Sequence, residues 1–405
     1  MKNKPLASIF LIVFIDLLGF GLILPLLPYY AESFGASDTV VGLLVASYAA
    51  AQLMGAPILG RFSDRFGRRP ILLLSLLGTL LGFLLLGFAN TLWILFAARI
   101  LDGLTGGNIS VAQAYISDVT DAKSRAKGLG VIGAAFGLGF IIGPASGGLL
   151  SQWGYAVPAF VAAGLVTINL LMVSLWLPES LPPEKRETAA NKRPAVTFSA
   201  LVEALKRPFS GSLLITRFFF GLAFAIFQTI FALYALRRFN LNAQQTGFIL
   251  TYVGVLAALV QGVLVGRLSE RFRDDVLIFV SVGIMALSLL GWALAPSVVV
   301  LLIILAPTSF AGGILNTVLS SALTKAVEPQ EIGGILGLSA SIESATRVLA
   351  PTLGGILLGR VGTWAPGTFG AVLLAGLLFY VWNKIFNHPL AANEQGNDNT
   401  VPVSH

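Results

Sequence analysis

The sequence contains no cysteine, only two histidines, and charged residues at just 11% of its 405 positions. Without cysteine there is neither a disulfide framework nor a thiolate centre. Neither His388 nor His405 falls in an apolar run, so no histidine stands near the acidic residues of those runs. A G-x-S-x-G elbow, an H-E-x-x-H pair and a G-x-x-x-x-G-K phosphate loop are all missing, which argues against an enzyme and against drive by ATP. The shortage of charge is the most telling lack. A soluble domain carries roughly 25% charged residues. A chain with 56% hydrophobic residues and a mean hydropathy of +0.85 cannot clothe a water-facing surface, so much of its surface must face lipid.

What is present fits that reading. A helix needs about 20 apolar residues to cross a hydrocarbon core of about 30 Å. Cutting the chain at charge clusters and turn residues gives twelve spans of that order, at 6–30, 39–60, 70–90, 92–118, 124–151, 154–178, 209–236, 242–267, 275–295, 297–325, 331–359 and 363–387. The first run is too long for the apolar core of a signal peptide and is expected to be retained. The net charge of +7 sits in short loops between spans, which points to membrane orientation and not to nucleic acid. With the N-terminus inside, cytoplasmic segments hold 20 of the 26 Lys and Arg, outside loops hold three (Arg237, Arg238, Arg360), and three lie within spans. Both termini are therefore expected in the cytoplasm, in an inner (plasma) membrane protein.

Two halves are expected. The polar stretch around 179–208, rich in proline and mixed charge, reads as a linker between a six-helix bundle at 1–178 and a second at 209–388, with a disordered tail at 389–405. The halves echo each other. Gly60-Arg61-Phe62-Ser63-Asp64-Arg65-Phe66 returns as Gly266-Arg267-Leu268-Ser269-Glu270-Arg271-Phe272, and Gly143-Pro144 with Gly147-Gly148 returns as Ala350-Pro351 with Gly354-Gly355. Two matches at nearly one offset indicate a duplicated six-span unit, and such repeats place a substrate cavity near the membrane midplane. The fold class is thus all-α and integral to the membrane, with twelve spans in two pseudo-symmetric bundles.

Six ionisable residues fall inside spans: Asp16, Arg99, Asp102, Arg217, Glu343 and Arg347. Each costs about 2.5–3.5 kcal/mol or more at the centre of a helix, so each is expected to face protein or a wet cavity. Asp16 stands about ten residues into its span, roughly 15 Å from the end. A carboxyl that loses and regains a cationic neighbour exchanges a proton, which is the physics of proton coupling. Asp102 follows Arg99 on one face, with Gly106 and Gln113 continuing the stripe, and reads equally as a structural counter-ion. Glu343 and Arg347, four apart, form either a local ion pair or a substrate or proton site. Sequence names no partner for Arg217. Gln52, Gln113, Gln228, Gln261 and Asn316 are polar candidates for a cavity wall, although each is more often an interhelical hydrogen-bonder. Phe220, Phe224 and Phe227 are aromatic candidates for an apolar cargo.

Several of these stretches carry a resemblance. Gly60-Arg61-Phe62-Ser63-Asp64-Arg65-Phe66-Gly67-Arg68-Arg69-Pro70, between spans two and three, resembles the signature of the major facilitator superfamily. Gly139-Phe140-Ile141-Ile142-Gly143-Pro144-Ala145-Ser146-Gly147-Gly148, in span five, resembles its antiporter motif, and Arg99 with Gly103 its R-x-x-x-G element. Asp16 followed by the run to Pro25 is similar to the drug/proton antiporter branch, tetracycline-efflux proteins in particular. The resemblance implies a gating latch in which Arg68 or Arg69 pairs with Asp118. It also implies a tight helix seam at Gly139, Gly143, Pro144, Gly147 and Gly148, and Arg99 as the partner of Asp16. Asp102 is a departure from the tetracycline branch, as is a third span without charge, and these point away from tetracycline itself.

The function expected is proton-coupled efflux of small lipophilic compounds by alternating access. The alternative is a carrier for a specific solute such as a sugar, an amino-acid derivative or a lysolipid. The expected partners are a small-molecule substrate, protons and the lipid bilayer, with no nucleic acid, no cofactor, no metal and a monomeric state.

Overall fold

A computed structural model describes residues 4–120, 125–184, 186 and 198–387. The expected tail at 389–405, both histidines and most of the charged part of the linker lie outside these residues. Among the described residues every regular element is helical. In chain order the helices are α1 (Lys4–Ile23), α2 (Leu27–Ser33), α3 (Asp38–Phe66), α4 (Arg68–Gly87), α5 (Leu92–Thr105), α6 (Asn108–Val119), α7 (Arg125–Leu150) and α8 (Ala156–Trp176). They continue as α9 (Phe198–Lys206), α10 (Ser210–Phe239), α11 (Ala243–Leu259), α12 (Val265–Arg271), α13 (Asp274–Leu294), α14 (Val298–Lys325), α15 (Ile332–Arg360) and α16 (Ala365–Val381).

Each of the twelve expected spans is met by a helix or an interrupted helix. Among the described residues nine continuous helical stretches are long and apolar enough to cross a membrane, and α1 with α2 makes a tenth, bent by 41°. The bend falls at Leu24–Leu26, where Pro25 supplies no N–H to the helical ladder. The two remaining spans hold intramembrane charges. Span four is split into α5 and α6 and carries Arg99 and Asp102, and span eleven is α15 and carries Glu343 and Arg347. Span eight runs from α11 into α12 through a wider π-helical turn at Val260–Leu264.

The chain divides into two compact units. One comprises Met1–Arg193, Gln228–Val255 and Arg347–Thr363; the other comprises Pro194–Phe227, Leu256–Thr346 and Trp364–His405. In the first, α1 packs between α7 and α8, and α4 lies against α5 and α8. Its core is aliphatic, built from residues such as Leu22, Leu44, Leu72, Leu76 and Val166, with Phe83 and Tyr115 fully enclosed. In the second, α13 packs against α14 and α16 around Trp292, Met285, Leu305 and Leu374. The large exposed side chains, among them Trp93, Leu171, Leu175, Leu287 and Phe379, lie on helix faces. That is expected where the solvent is lipid and not water.

Candidate functional site

The first unit gathers its buried polar groups around an interruption in span four. A helix broken in mid-membrane must satisfy its freed backbone groups from elsewhere. Here α5 ends at Thr105, Gly106 and Gly107 form the break, and α6 starts at Asn108. Ser75 on α4 serves both sides of it: its hydroxyl donates to the Thr105 carbonyl and accepts from the Gly107 N–H at 3.2 Å. Gln52 on α3 donates to the Gly106 carbonyl at 3.2 Å and to the Tyr48 hydroxyl at 3.0 Å.

Around this break stand Asp16, Arg99 and Asp102. Arg99 Nη1 meets Asp102 Oδ2 at 2.9 Å, both side chains are buried, and the guanidinium lies 4.3 Å from the ring centroid of Tyr48. Asp16 Oδ1 instead accepts from Asn108 Nδ2 at 2.7 Å. The pairing of Arg99 with Asp16 that the resemblance implies is therefore replaced: Asp102, three residues along the same helix, takes the guanidinium. Arg347, on α15, is exposed. Gln113 is exposed. Asn108 escapes a reading of the sequence, because an asparagine in a span carries no signal beyond hydrogen bonding between helices.

The loop after α3 forms a second centre. Gly67 has φ +108°, a left-handed conformation that favours glycine, and a side chain there would also meet the Glu179 carboxylate. Gly60 is buried, and its carbonyl accepts from the Ser63 hydroxyl at 2.8 Å. Arg68 is the arginine that pairs with Asp118, at 3.0 Å, and it also binds Asp64 and the Ser63 hydroxyl. Arg69 turns to the Ser174 carbonyl, while Arg65 lies over Phe66. Glu179, just past span six, accepts from the backbone N–H of Arg68 at 2.9 Å and of Arg69 at 3.1 Å. A carboxylate there caps the first turn of α4 and meets the positive end of its dipole. Sequence spacing does not show this cap, since its donors lie about 110 residues upstream.

The span-five motif has two working faces. Gly139, Gly143 and Gly147 lie against α1, where added methyl groups would strike the backbone of Leu17, Gly21 and Leu22. Gly148 and the Pro144 carbonyl form the other face, against Gly247 of α11. A matching crossing joins α3 to α15, where Gly42 lies on the Pro351 carbonyl and on Gly355. The two crossings are related by the repeat, with Pro144 answering Pro351 and Gly148 answering Gly355. Beside them, at the helix ends remote from the Arg68 loop, the Tyr29 hydroxyl meets Thr246 at 2.5 Å and the Leu241 carbonyl at 3.1 Å. Arg237 binds Glu32 at 2.5 Å and Asp38 at 2.8 Å.

The second unit supplies the partner that Arg217 lacked in sequence. Arg217 Nη2 meets Glu343 Oε2 at 2.9 Å, and its Nη1 donates to Asn316 Oδ1 at 3.0 Å. The arginine side chain is 9% exposed and the glutamate 36%. Gln228 and Gln261 are exposed. Phe220 and Phe227 are buried, Phe227 edge-on to Trp292, and Phe224, half-buried, stacks on both. Among the described residues no three acidic or histidine side chains come together to hold a metal ion.

Residues 9–306 and 213–403 match the family model of the Major Facilitator Superfamily. The chain is 36% identical to the class H tetracycline resistance protein of Pasteurella multocida, over 93% of this chain and 95% of that protein. It is 34% identical to the class B tetracycline resistance protein of Escherichia coli, over 91% of each. Among solved structures, the human organic anion transporter MFSD10 (TETRAN) superposes with a TM-score of 0.70 at 24% identity, covering 94% of this chain and 99% of that one. Helix order, buried intramembrane charges and whole-length similarity agree: this chain is a membrane transporter of the Major Facilitator Superfamily.

Proposed function

We propose that this transporter exports small lipophilic compounds in exchange for protons, by alternating access, from an inner membrane with both chain ends in the cytoplasm. Asp16 is the observation that carries the reading. It is a carboxyl inside a span, met by the neutral amide of Asn108, while the nearby cation Arg99 is already engaged by Asp102. An intramembrane acid without a bonded counter-ion is costly when charged, and the cost falls away when it takes up a proton. A group so placed changes charge as the aqueous side it faces changes. Asp102 and Arg99 form the fixed, mutually neutral part of the same cluster.

The glycine crossings support alternating access. They close one end of the first unit through backbone-to-backbone contact, assisted by the Arg237, Glu32 and Asp38 triad. Exposed ion pairs of this kind contribute little each, about 1 kcal/mol or less, so the closure can reverse. The Arg68 loop supports a latch at the opposite end. Tetracycline resistance proteins among the relatives favour drug efflux over the carriage of one nutrient.

The test is flux in liposomes holding purified protein. A lipophilic dye should be expelled against its gradient when a pH gradient is imposed, and Asp16→Asn should abolish the response. A rate indifferent to the pH gradient would sink proton coupling. In a pump-deficient host, the wild type should raise resistance to at least one compound of a drug and dye panel, and the variant should not.

A further inference from the structure

Asn108 opens the second half of the broken span, and one of its atoms is left unmatched. Its Nδ2 donates to Asp16 Oδ1 at 2.7 Å. With Asp16 ionised that contact fixes the amide, because a carboxylate oxygen accepts only from the NH₂ side. The amide oxygen, bonded to the same carbon, is fully enclosed and has no hydrogen-bond partner among the described residues. Buried carbonyls without a donor are few in native folds and costly where they occur.

No side chain among the described residues donates to that oxygen, and Arg99 Nε in the same cluster is enclosed and unmatched as well. On α5, Arg99 is turned to Asp102 and to the face of Tyr48. On α4, Ser75 is committed to the Thr105 carbonyl and the Gly107 N–H, and on α3, Gln52 to Gly106 and Tyr48. On α8, Asn169 Nδ2 donates to the Ile12 carbonyl, one turn before Asp16. Asp102 is taken by Arg99 and the Tyr48 hydroxyl meets Gln52, and neither is hydrogen-bonded to the Asn108 oxygen. A donor can still come from Asp16 itself.

We infer that Asn108 is the positioning residue that holds the transported proton on Asp16, by closing a cyclic acid–amide pair. The inference rests on the proton-carrying role proposed for Asp16. An ionised Asp16 offers two acceptors and can satisfy only the amide nitrogen. When a proton from solution binds Oδ2, the new O–H donates to Asn108 Oδ1 while Nδ2 goes on donating to Asp16 Oδ1. The ring is neutral, and both amide atoms are matched. Release breaks only the Asp16 O–H bond, returns the proton to water and leaves the amide oxygen alone again. Because that oxygen is enclosed, its partner is a proton donor already inside the protein and not a group on the cargo.

Infrared difference spectroscopy on reconstituted full-length protein, stepped in pH, tests this. Asp16→Asn identifies the carboxylic acid band by removing it. In the wild type that band should lie at the low wavenumber of a strongly hydrogen-bonded acid, and Asn108→Leu should move it upward. Should Asn108→Leu fail to fold, wild-type protein carrying ¹³C in the asparagine side-chain carbonyl decides. A side-chain carbonyl band should then change with the same pH midpoint as Asp16 and be lost in Asp16→Asn. A band unmoved by Asn108→Leu, or labelled asparagine silent through the Asp16 transition, overturns the pairing and leaves proton coupling standing. No Asp16 band at any pH, together with gradient-driven flux in Asp16→Asn, overturns the pairing and the proton-carrier reading at once.

Discussion

Arg217 and Glu343 meet at 2.9 Å, but they are not equally deep: the arginine is nearly enclosed and the glutamate is about one-third exposed. Removing one member of a buried pair leaves the other uncompensated, whereas removing both is often close to neutral. Glu343→Gln strands a guanidinium beside Asn316 and should lower stability by on the order of 3 kcal/mol, the low end of the range for buried pairs, because water reaches the carboxylate. Arg217→Met removes the cation from a carboxylate that solvent can partly serve and should cost less. The double variant should recover most of the loss from Glu343→Gln. Thermal unfolding in detergent of the two single variants and the double one checks this ordering, and equal losses in all three would contradict it.

At the scale of helices, the two glycine crossings and the α9 contact behave differently. In the crossings, backbone lies on backbone, so a methyl group at Gly42 or Gly247 has no flexible neighbour to displace. Overpacking of this kind costs about 1–3 kcal/mol. Since 1.4 kcal/mol is a tenfold change in an equilibrium constant, Gly42→Ala or Gly247→Ala should lower the ratio of closed to open molecules about tenfold. Spin labels across α3 and α15, or across α7 and α11, should report a longer distance in each variant, with the helices otherwise intact. Arg207, just past α9, binds Glu331 at 2.7 and 2.8 Å, and both side chains are exposed. The hydrogen bonds from Arg207 hold the Glu331 carboxyl below its ordinary value. The contact is therefore fully present above the ordinary carboxylate range and is lost as pH falls through the lowered value. Hydrogen exchange in α9 should accelerate on acidification in the wild type. In Glu331→Gln it should already be faster at neutral pH and change little further.

For the molecule as a whole, span positions were legible in sequence because length and hydropathy alone specify a membrane helix. Interruptions within spans were not. The stretch 92–118 reads as one apolar run, and the groups that let it break at Gly106–Gly107, Ser75 and Gln52, sit on other helices. The same distance hides Glu179 as the cap of α4 and Asn108 as the partner of Asp16, for nothing local in sequence marks either. Charge identity was legible and charge pairing only in part: Arg68 with Asp118 was one of two options, Arg217 had none, and Arg99 went to its own helix neighbour. Orientation rests on the asymmetric placement of Lys and Arg, and the absence of cysteine makes it directly testable. A single cysteine in place of Asn240, exposed in the turn after α10, should react with an impermeant maleimide added to intact cells. One in place of Glu184, exposed after span six, should react only once the membrane is opened. Each bundle must also return the chain to the side on which it started, so a cysteine at Lys384 should follow Glu184 and not Asn240. Labelling of Lys384→Cys from outside would give the C-terminal bundle an odd number of crossings and break the duplication on which the two glycine crossings depend.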